Sequence, residues 1–356
     1  MMSSSISLKQ LNETIIFFKQ MYVGISPLRI SFAGGGTDMP EYFEKFGGVV
    51  ITTTINHFTY IMGQKRRDKN FQIFSPDYES YNIPTLWNKL EAKIGTELPV
   101  AVIKFLNYKN GVNLMLSSDV PPRSGLGSSS ALTVNLVNVI SKLKGKNIVS
   151  SQMAEIAHKV ERNYLNWPMG KQDEYISAIG GFKKLIFSKK GVQVINVKMS
   201  KKQLEELQDN LLLFFISSRT STKILPSQIN KINKKDPKIL ESLDNVKHLA
   251  NSMYTQLQKS DIQGFGELLN KGWLEKKKFS TNVSNNKIDK LYDSAIKSGA
   301  VGGKLTGAGG GGHMLLYCEK NKQARVIKKM KSYGIYQVKF NFHNEGAKIF
   351  NVYDYK

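Results

Sequence analysis

Residues 119–140 read DVPPRSGLGSSSALTVNLVNVI, with two prolines, two glycines and three consecutive serines ahead of an apolar run. A helix start leaves N–H donors unpaired and carries about half a positive charge. The string therefore suits an anion, phosphate above all. No lysine precedes its serines, so it is not a Walker A loop. The amides from Gly125 to Ser129 could still cradle a polyphosphate, and a first-turn serine hydroxyl could ligate Mg²⁺ or simply cap the helix. Taken alone, the string fits a capped helix after a glycine turn equally well.

Three further strings change that balance. GGKLTGAGGGGHMLLY places six glycines within residues 302–311, a permissive backbone that is costly to order unless something approaches closely. Leu305, Thr306 and Ala308 are not linker residues, which counts against a mobile surface loop. SPLRISFAGGGTD, residues 26–38, reads as a strand running into another glycine turn that ends in Asp38. In HKVERNYLNWPMGKQDEYISAIGGF, Glu161 lies on a helix and Asp173 follows a Trp-Pro-Met-Gly turn. Singly, each acid reads as a surface group. Beside phosphate-cradling loops, one carboxylate suits Mg²⁺ and the other suits taking a hydroxyl proton.

The elements that must position these groups follow from periodicity. Residues 1–20 suggest an added amphipathic helix, and the β-branched, glycine-bounded stretches from Tyr22 onward suggest strands. Val112, Leu114 and Leu116 alternate with polar or outward positions until Pro121 and Pro122 end the strand. Leu132, Leu136, Val139, Ile140 and Leu143 then recur at helical spacing. A helix over 151–163, a hairpin over 180–199 and a buried strand at NLLLFFISS follow. Residues 222–300 read as mostly helical, and HMLLYCE, IYQVKFNF and AKIFNVYDY supply closing strands. The order predicts an α+β chain of two domains, 21–198 and 199–356.

Composition narrows the partners. The chain has 356 residues, 41% hydrophobic and 22% charged, a globular balance. Its longest apolar run, Leu211 to Ile216, is far too short to cross a bilayer, and the N-terminal residues lack a signal-peptide pattern. Cys318 is the lone cysteine, which excludes an internal disulfide and agrees with the cytoplasm. The five histidines are scattered, giving a histidine-built metal site little support. Fifty-one basic against 28 acidic residues give +23, a field that attracts anions. The clusters KRR at 65–67 and KKK at 276–278 are not interleaved with aromatics, so the charge reads as solvated surface rather than a nucleic-acid interface.

These four strings, in this order, resemble the GHMP small-molecule kinases over Pro27 to His313. LRISFAGGGTDMPEYFEKFGG looks like the branch of D-glycero-D-manno-heptose 7-phosphate kinases and the kinase part of fucokinases; galactokinases have Glu-His-Thr-Asp at that turn. The resemblance implies a ribosomal-S5-like N-terminal domain, a ferredoxin-like C-terminal domain, and ATP with Mg²⁺ as cofactors. It implies that Pro122, Ser124, Gly125, Leu126, Gly127, Ser128, Ser129 and Ser130 wrap the nucleotide, and that Ser130 and Glu161 hold Mg²⁺. Asp173 would be the base, Arg29 its cationic neighbour, and Lys171 a group neutralising transferring charge. Thr37 and Asp38 would meet the sugar, Gly307, Ala308, Gly309 and Gly310 would close over it, and Arg219 could grip its phosphate bidentately. One departure is FISSRTST, where Ser217 stands at a position the branch fills with glycine. The implied reaction is ATP-dependent phosphorylation of the anomeric hydroxyl of the heptose 7-phosphate, with a homodimer left open. The alternatives are a fucokinase-like sugar 1-kinase and, from another class, a nucleic-acid-binding protein.

Overall fold

The computed structural model describes residues 20–354 except 220, 221, 260 and 263; the helix expected over residues 1–20 lies outside the described residues but for Gln20. Met21–Ala33 and Gly48–Lys65 form two long antiparallel strands at the heart of a ten-stranded sheet. Pro27 has no N–H for the ladder, and the pairing shifts register between Pro27 and Leu28, immediately before Arg29. The far edge of Gly48–Lys65 is shared: residues 59–65 pair with Val112–Ser118 and residues 48–53 with the hairpin strand Phe182–Ser188.

Helices Glu97–Phe105, Ser128–Leu143, Ser150–Lys159 and Gln172–Ile179 cover one face of this sheet. Ser128–Leu143 is buried well beyond the predicted stripe, because Ala131 faces the second half of the molecule and Asn135 Nδ2 donates to the carbonyls of Gly24 (2.9 Å) and Thr59 (3.0 Å). Such bonds offset the penalty of burying the NH₂ end of the amide. The helix is thereby fixed in rotation as well as in position.

A four-stranded antiparallel sheet, ordered Gly302–Leu305, Gly312–Tyr317, Leu211–Ser217, Gln337–Val338, carries the second half. Helices Ile224–Asn233, Pro237–Gln258, Phe265–Lys277, Asn286–Lys297 and Gln323–Lys331 pack with it. A third cluster of buried residues joins the halves, with Leu28, Ile30, Phe32 and Leu126 on one side and Leu213, Leu257, Phe265 and Leu315 on the other. Phe32 stacks on Phe182 at 5.2 Å and meets Phe265 edge-on at 5.2 Å. Each such aromatic pair adds about 0.5–1.5 kcal/mol beyond area burial. The serine string enters the molecule at this joint through Leu126.

Three readings change. Residues after 198 do not all stay in the second half: Phe342–His343 pairs with Gly48–Lys65, and Lys348–Asn351 pairs with Met21–Ala33. The cause is an open strand edge plus an aromatic pocket, since Phe342 lies 6.2 Å from Phe32 and 5.8 Å from Phe182. Gly302 and Gly303 belong to a strand, not a turn; a Cβ on Gly302 would lie 1.9 Å from the Gly266 carbonyl oxygen, so the helix above leaves no room for one. Asp173 sits in the first turn of helix Gln172–Ile179, which the sequence pattern did not reveal. Among the described residues no helix is long and apolar enough to cross a membrane.

Candidate active site

Arg29 and Asp173 come together from opposite ends of the first half. Arg29 Nε donates to Asp173 Oδ1 (2.7 Å) and its terminal nitrogen to Oδ2 (2.5 Å), a bidentate pair in which the guanidinium is 4% exposed and the carboxylate 18%. The third nitrogen donates to the Gly125 carbonyl at 2.7 Å, and the Arg29 amide donates to the Leu126 carbonyl at 3.0 Å. One planar fork thus fixes both the acid and the serine loop. The carboxylate keeps enough exposure to meet a solute.

The loop itself is held by its carbonyls. The Ser124 carbonyl accepts from His313 Nδ1 at 2.8 Å, and those of Gly125 and Leu126 face Arg29. Among the described residues, the amides from Gly125 to Ser130 have no acceptor, while Ala131 N–H begins the helix ladder on the Gly127 carbonyl. Gly127 takes φ +76° just before the helix, and a Cβ there would stand 3.2 Å from both the Arg29 side chain and Asp173 Oδ2. Only glycine brings the backbone this near the acid without strain. Pro122 offers no N–H and shapes the turn; Leu126 is anchored in the joint; Ser124 Oγ is buried with no partner among the described residues. Ser128 is half-buried and Ser129 is exposed.

Below the first turn, Ser130 Oγ donates to Glu161 Oε2 (3.0 Å) and Thr133 Oγ1 to Glu161 Oε1 (2.7 Å). Glu161 is fully buried and faces a second buried acid, Glu174, so burial first and that charge second push its carboxyl well above the ordinary range. Glu174 binds His158 Nδ1 at 2.8 Å and is likewise pushed up, by burial and then by Asp173 and Asp38. Burial holds His158 down at about 4. Hydroxyl and carboxylate oxygens are hard donors that suit Mg²⁺. Among the described residues no three of His, Cys, Asp and Glu gather into a metal cage, which a Mg²⁺ completed by phosphates and water does not need.

The remaining expected residues divide. Asp38 is buried, accepts the amides of Gly36 (2.9 Å) and Gln172 (3.3 Å), and is pushed up by burial and by the nearby charge of Asp173. Gly307 touches the serine loop: a Cβ on it, at φ +66°, would come 2.8 Å from Gly125 Cα. Gly309 is buried against Val283, the Gly310 amide donates to the Val283 carbonyl at 2.8 Å, and Ala308 is half-buried. Arg219 is half-buried, and its amide donates to the Arg123 carbonyl at 3.2 Å; burial first, then Arg123, lowers its guanidinium. Ser217 pairs with Gly312 at a register shift, so the strand accommodates a serine there. Thr37 is turned inward: its hydroxyl donates to the Gly34 carbonyl (2.8 Å), with the Val49 carbonyl as the alternative acceptor, and accepts the Val49 amide (3.0 Å), which leaves it engaged on both sides. Lys171 pairs with Glu155 at 2.8 and 3.1 Å, not with Asp173. An open groove of about 710 Å³ among Lys277, Asn282 and Asp289 includes none of the expected residues.

Sequence reasoning missed four groups here. Thr133 follows Ser130 by three positions and so shares its helix face. Glu174 adjoins Asp173, but its link to His158 spans 16 residues and needed the fold. His313 reads in sequence as one of five scattered histidines, and in the fold it ties strand Gly312–Tyr317 to the serine loop. Lys276 reads in sequence as part of a solvated KKK run, whereas in the fold Leu269, Trp273 and Lys276 share one buried helix face.

Comparison with known proteins yields three kinds of match. Residues 96–181 match the model described as GHMP kinases N terminal domain, and residues 253–335 the model GHMP kinases C terminal. The chain is 31% identical over 334 residues to the D-glycero-alpha-D-manno-heptose 7-phosphate kinase of Campylobacter jejuni, covering 92% of this chain and 98% of that protein. It is 26% identical to a mevalonate kinase of Pyrococcus horikoshii, over 87% of this chain and 93% of the relative. A solved D-glycero-D-manno-heptose 1-phosphate kinase from Bacteriodes thetaiotaomicron shares the fold, with a TM-score of 0.78, 24% identity, and coverage of 93% of this chain and 99% of that one.

Proposed function

This chain belongs to the GHMP kinase family, and from that premise we propose that it uses ATP and Mg²⁺ to phosphorylate the anomeric hydroxyl of D-glycero-D-manno-heptose 7-phosphate, giving the 1,7-bisphosphate. The family makes it a phosphotransferase with an alcohol acceptor. The observation that carries the site assignment is the bidentate Arg29–Asp173 pair lying against a helix start with unpaired amides. The acceptor is suggested by the heptose 7-phosphate kinase relative and by Arg219, a half-buried guanidinium suited to a second phosphate.

In this reading the amides of Gly125 to Ser130 bind the triphosphate with the helix dipole behind them. Ser130 and Glu161 would hold Mg²⁺, which when bound neutralises charge on the phosphates. Asp173 takes the proton from the anomeric oxygen while Arg29 fixes both of its oxygens, and Asp38 orients the sugar hydroxyls. Because phosphoryl transfer asks for little covalent work from the protein, positioning and charge supply most of the rate. The halves 21–198 and 199 onward, apart from the returning C-terminal strands, bring nucleotide and acceptor together. The reading as a cytoplasmic enzyme rests on its lone cysteine, Cys318.

ADP release measured across free and phosphorylated sugars tests this. The 7-phosphorylated heptose should be preferred. Equal or better turnover of fucose or another free hexose would contradict the acceptor. No sugar-dependent ADP release, with salt-sensitive nucleic-acid binding instead, would overturn the reading.

A further inference from the structure

Lys276 lies on helix Phe265–Lys277 and is 8% exposed. Its neighbours pair with acids at the surface, Lys277 with Asp289 and Lys278 with Glu275. Among the described residues Lys276 forms no ion pair; it donates to the carbonyls of Leu305 (3.4 Å) and Gly307. An ammonium buried on carbonyls alone is unfavourable. Its charged surroundings deepen the problem: Arg29 on the first strand and Arg219 beyond strand Leu211–Ser217 repel it, Asp38 and Asp173 attract it, and Lys304 on strand Gly302–Leu305 also faces it. Lys304 is itself buried and donates to the Phe32 carbonyl at 3.1 Å. Two buried lysines, both with depressed ammonium groups, thus converge with Arg29 and Arg219 against Asp38 and Asp173, and an entering polyanion would favour their charged forms.

The turn that Lys276 grips has matching donors. Among the described residues, the amides of Gly307, Ala308 and Gly309 have no acceptor, although those of Thr306 and Gly310 bond to His313 and Val283. Gly307 lies against Gly125, so this second set of free amides adjoins the first.

We infer that Lys276 is a positioning residue for phosphoryl transfer: it draws the carbonyls of Leu305 and Gly307 back onto a buried cation, presenting the amides of Gly307 to Gly309 to the transferring phosphate. The inference depends on the kinase reading above. Burial, then Arg29 and Arg219, lowers the ammonium to about 7, with Asp38 and Asp173 opposing. In the free enzyme the cation is therefore present below about pH 7 and lost as pH rises through it. An arriving phosphate favours its return.

The test measures kcat and KM for ATP, with Mg²⁺ and the heptose 7-phosphate, in wild type, Lys276→Arg and Lys276→Met over about pH 6 to 9, because kcat/KM reports the free enzyme. Lys276→Met should lose about 10²-fold in kcat/KM. Lys276→Arg should recover most of that and abolish the alkaline fall near pH 7. A Lys276→Met enzyme with wild-type kcat/KM and an unchanged alkaline limb would overturn the inference, as would a folded arginine variant no better than methionine. If neither variant folds, the wild-type profile decides: no fall in kcat/KM above pH 7 overturns the assignment. Wild type without sugar-dependent ADP release sinks the kinase reading instead, so the two failures are distinguishable.

Discussion

The serine loop and the glycine turn touch at Gly125 and Gly307, and both leave a run of amides without acceptors among the described residues, yet they are built differently. The serine loop opens helix Ser128–Leu143, whose aligned peptides supply positive charge. The glycine turn joins two antiparallel strands, which supply almost none. Beside that turn the fold places Lys276, on the carbonyl side. A backbone cradle for anions needs both free donors and a field, and where secondary structure provides only donors a buried cation can complete it.

The largest effect should come from the group between the two loops. Asp173→Asn should lower kcat about 10² to 10⁴-fold while nucleotide affinity, read by fluorescent-analogue titration, stays near wild type; an unchanged kcat would remove Asp173 as base. Next comes the seam itself. Gly307→Ala would force a Cβ to within 2.8 Å of Gly125 Cα at φ +66°. It should cost about 1–2 kcal/mol of stability from backbone strain alone and lower kcat/KM further, and a variant with wild-type kinetics would show that the loops work independently. Within the serine loop, Ser130→Ala removes a donor to Glu161 and should raise the Mg²⁺ concentration for half-maximal rate, whereas Ser129→Ala, exposed and unattached to Glu161, should not. Equal effects from the two would break the assignment of Ser130.

The smallest effect concerns the tie between the loops. Burial holds His313 at about 4, below its ordinary 6.5, and its neutral ring contacts the Ser124 carbonyl. The unfolded ring takes a proton more readily, so this contribution is full above pH 6.5 and lost as pH falls toward 4. Urea midpoints of wild type should therefore drop across that window more than those of His313→Asn. Parallel slopes would contradict it.

Much of this was legible in the sequence because glycine, proline and serine act locally. Pro121 and Pro122 end a strand, Gly127 opens a helix, and the four motif strings carry the family resemblance on their own. The two-domain α+β order was readable from periodicity for the same reason. What stayed hidden depends on long-range approach. Thr37 reads as a sugar contact until Val49, twelve positions on, claims its hydroxyl. Lys171 stands two residues from Asp173 in sequence but finds Glu155 across the helix pair. The C-terminal strands read correctly as strands, but the sheet they join is chosen by Phe32 and Phe182, which lie far away in the chain.

A crystal structure with Mg²⁺ and a non-hydrolysable ATP analogue tests the joint cradle most directly. Phosphate oxygens should lie within hydrogen-bond reach of amides from both Gly125 to Ser130 and Gly307 to Gly309, with Asp173 beside the terminal phosphate. A triphosphate bound to one loop alone, or seated in the groove near Asn282 and Asp289, would contradict it.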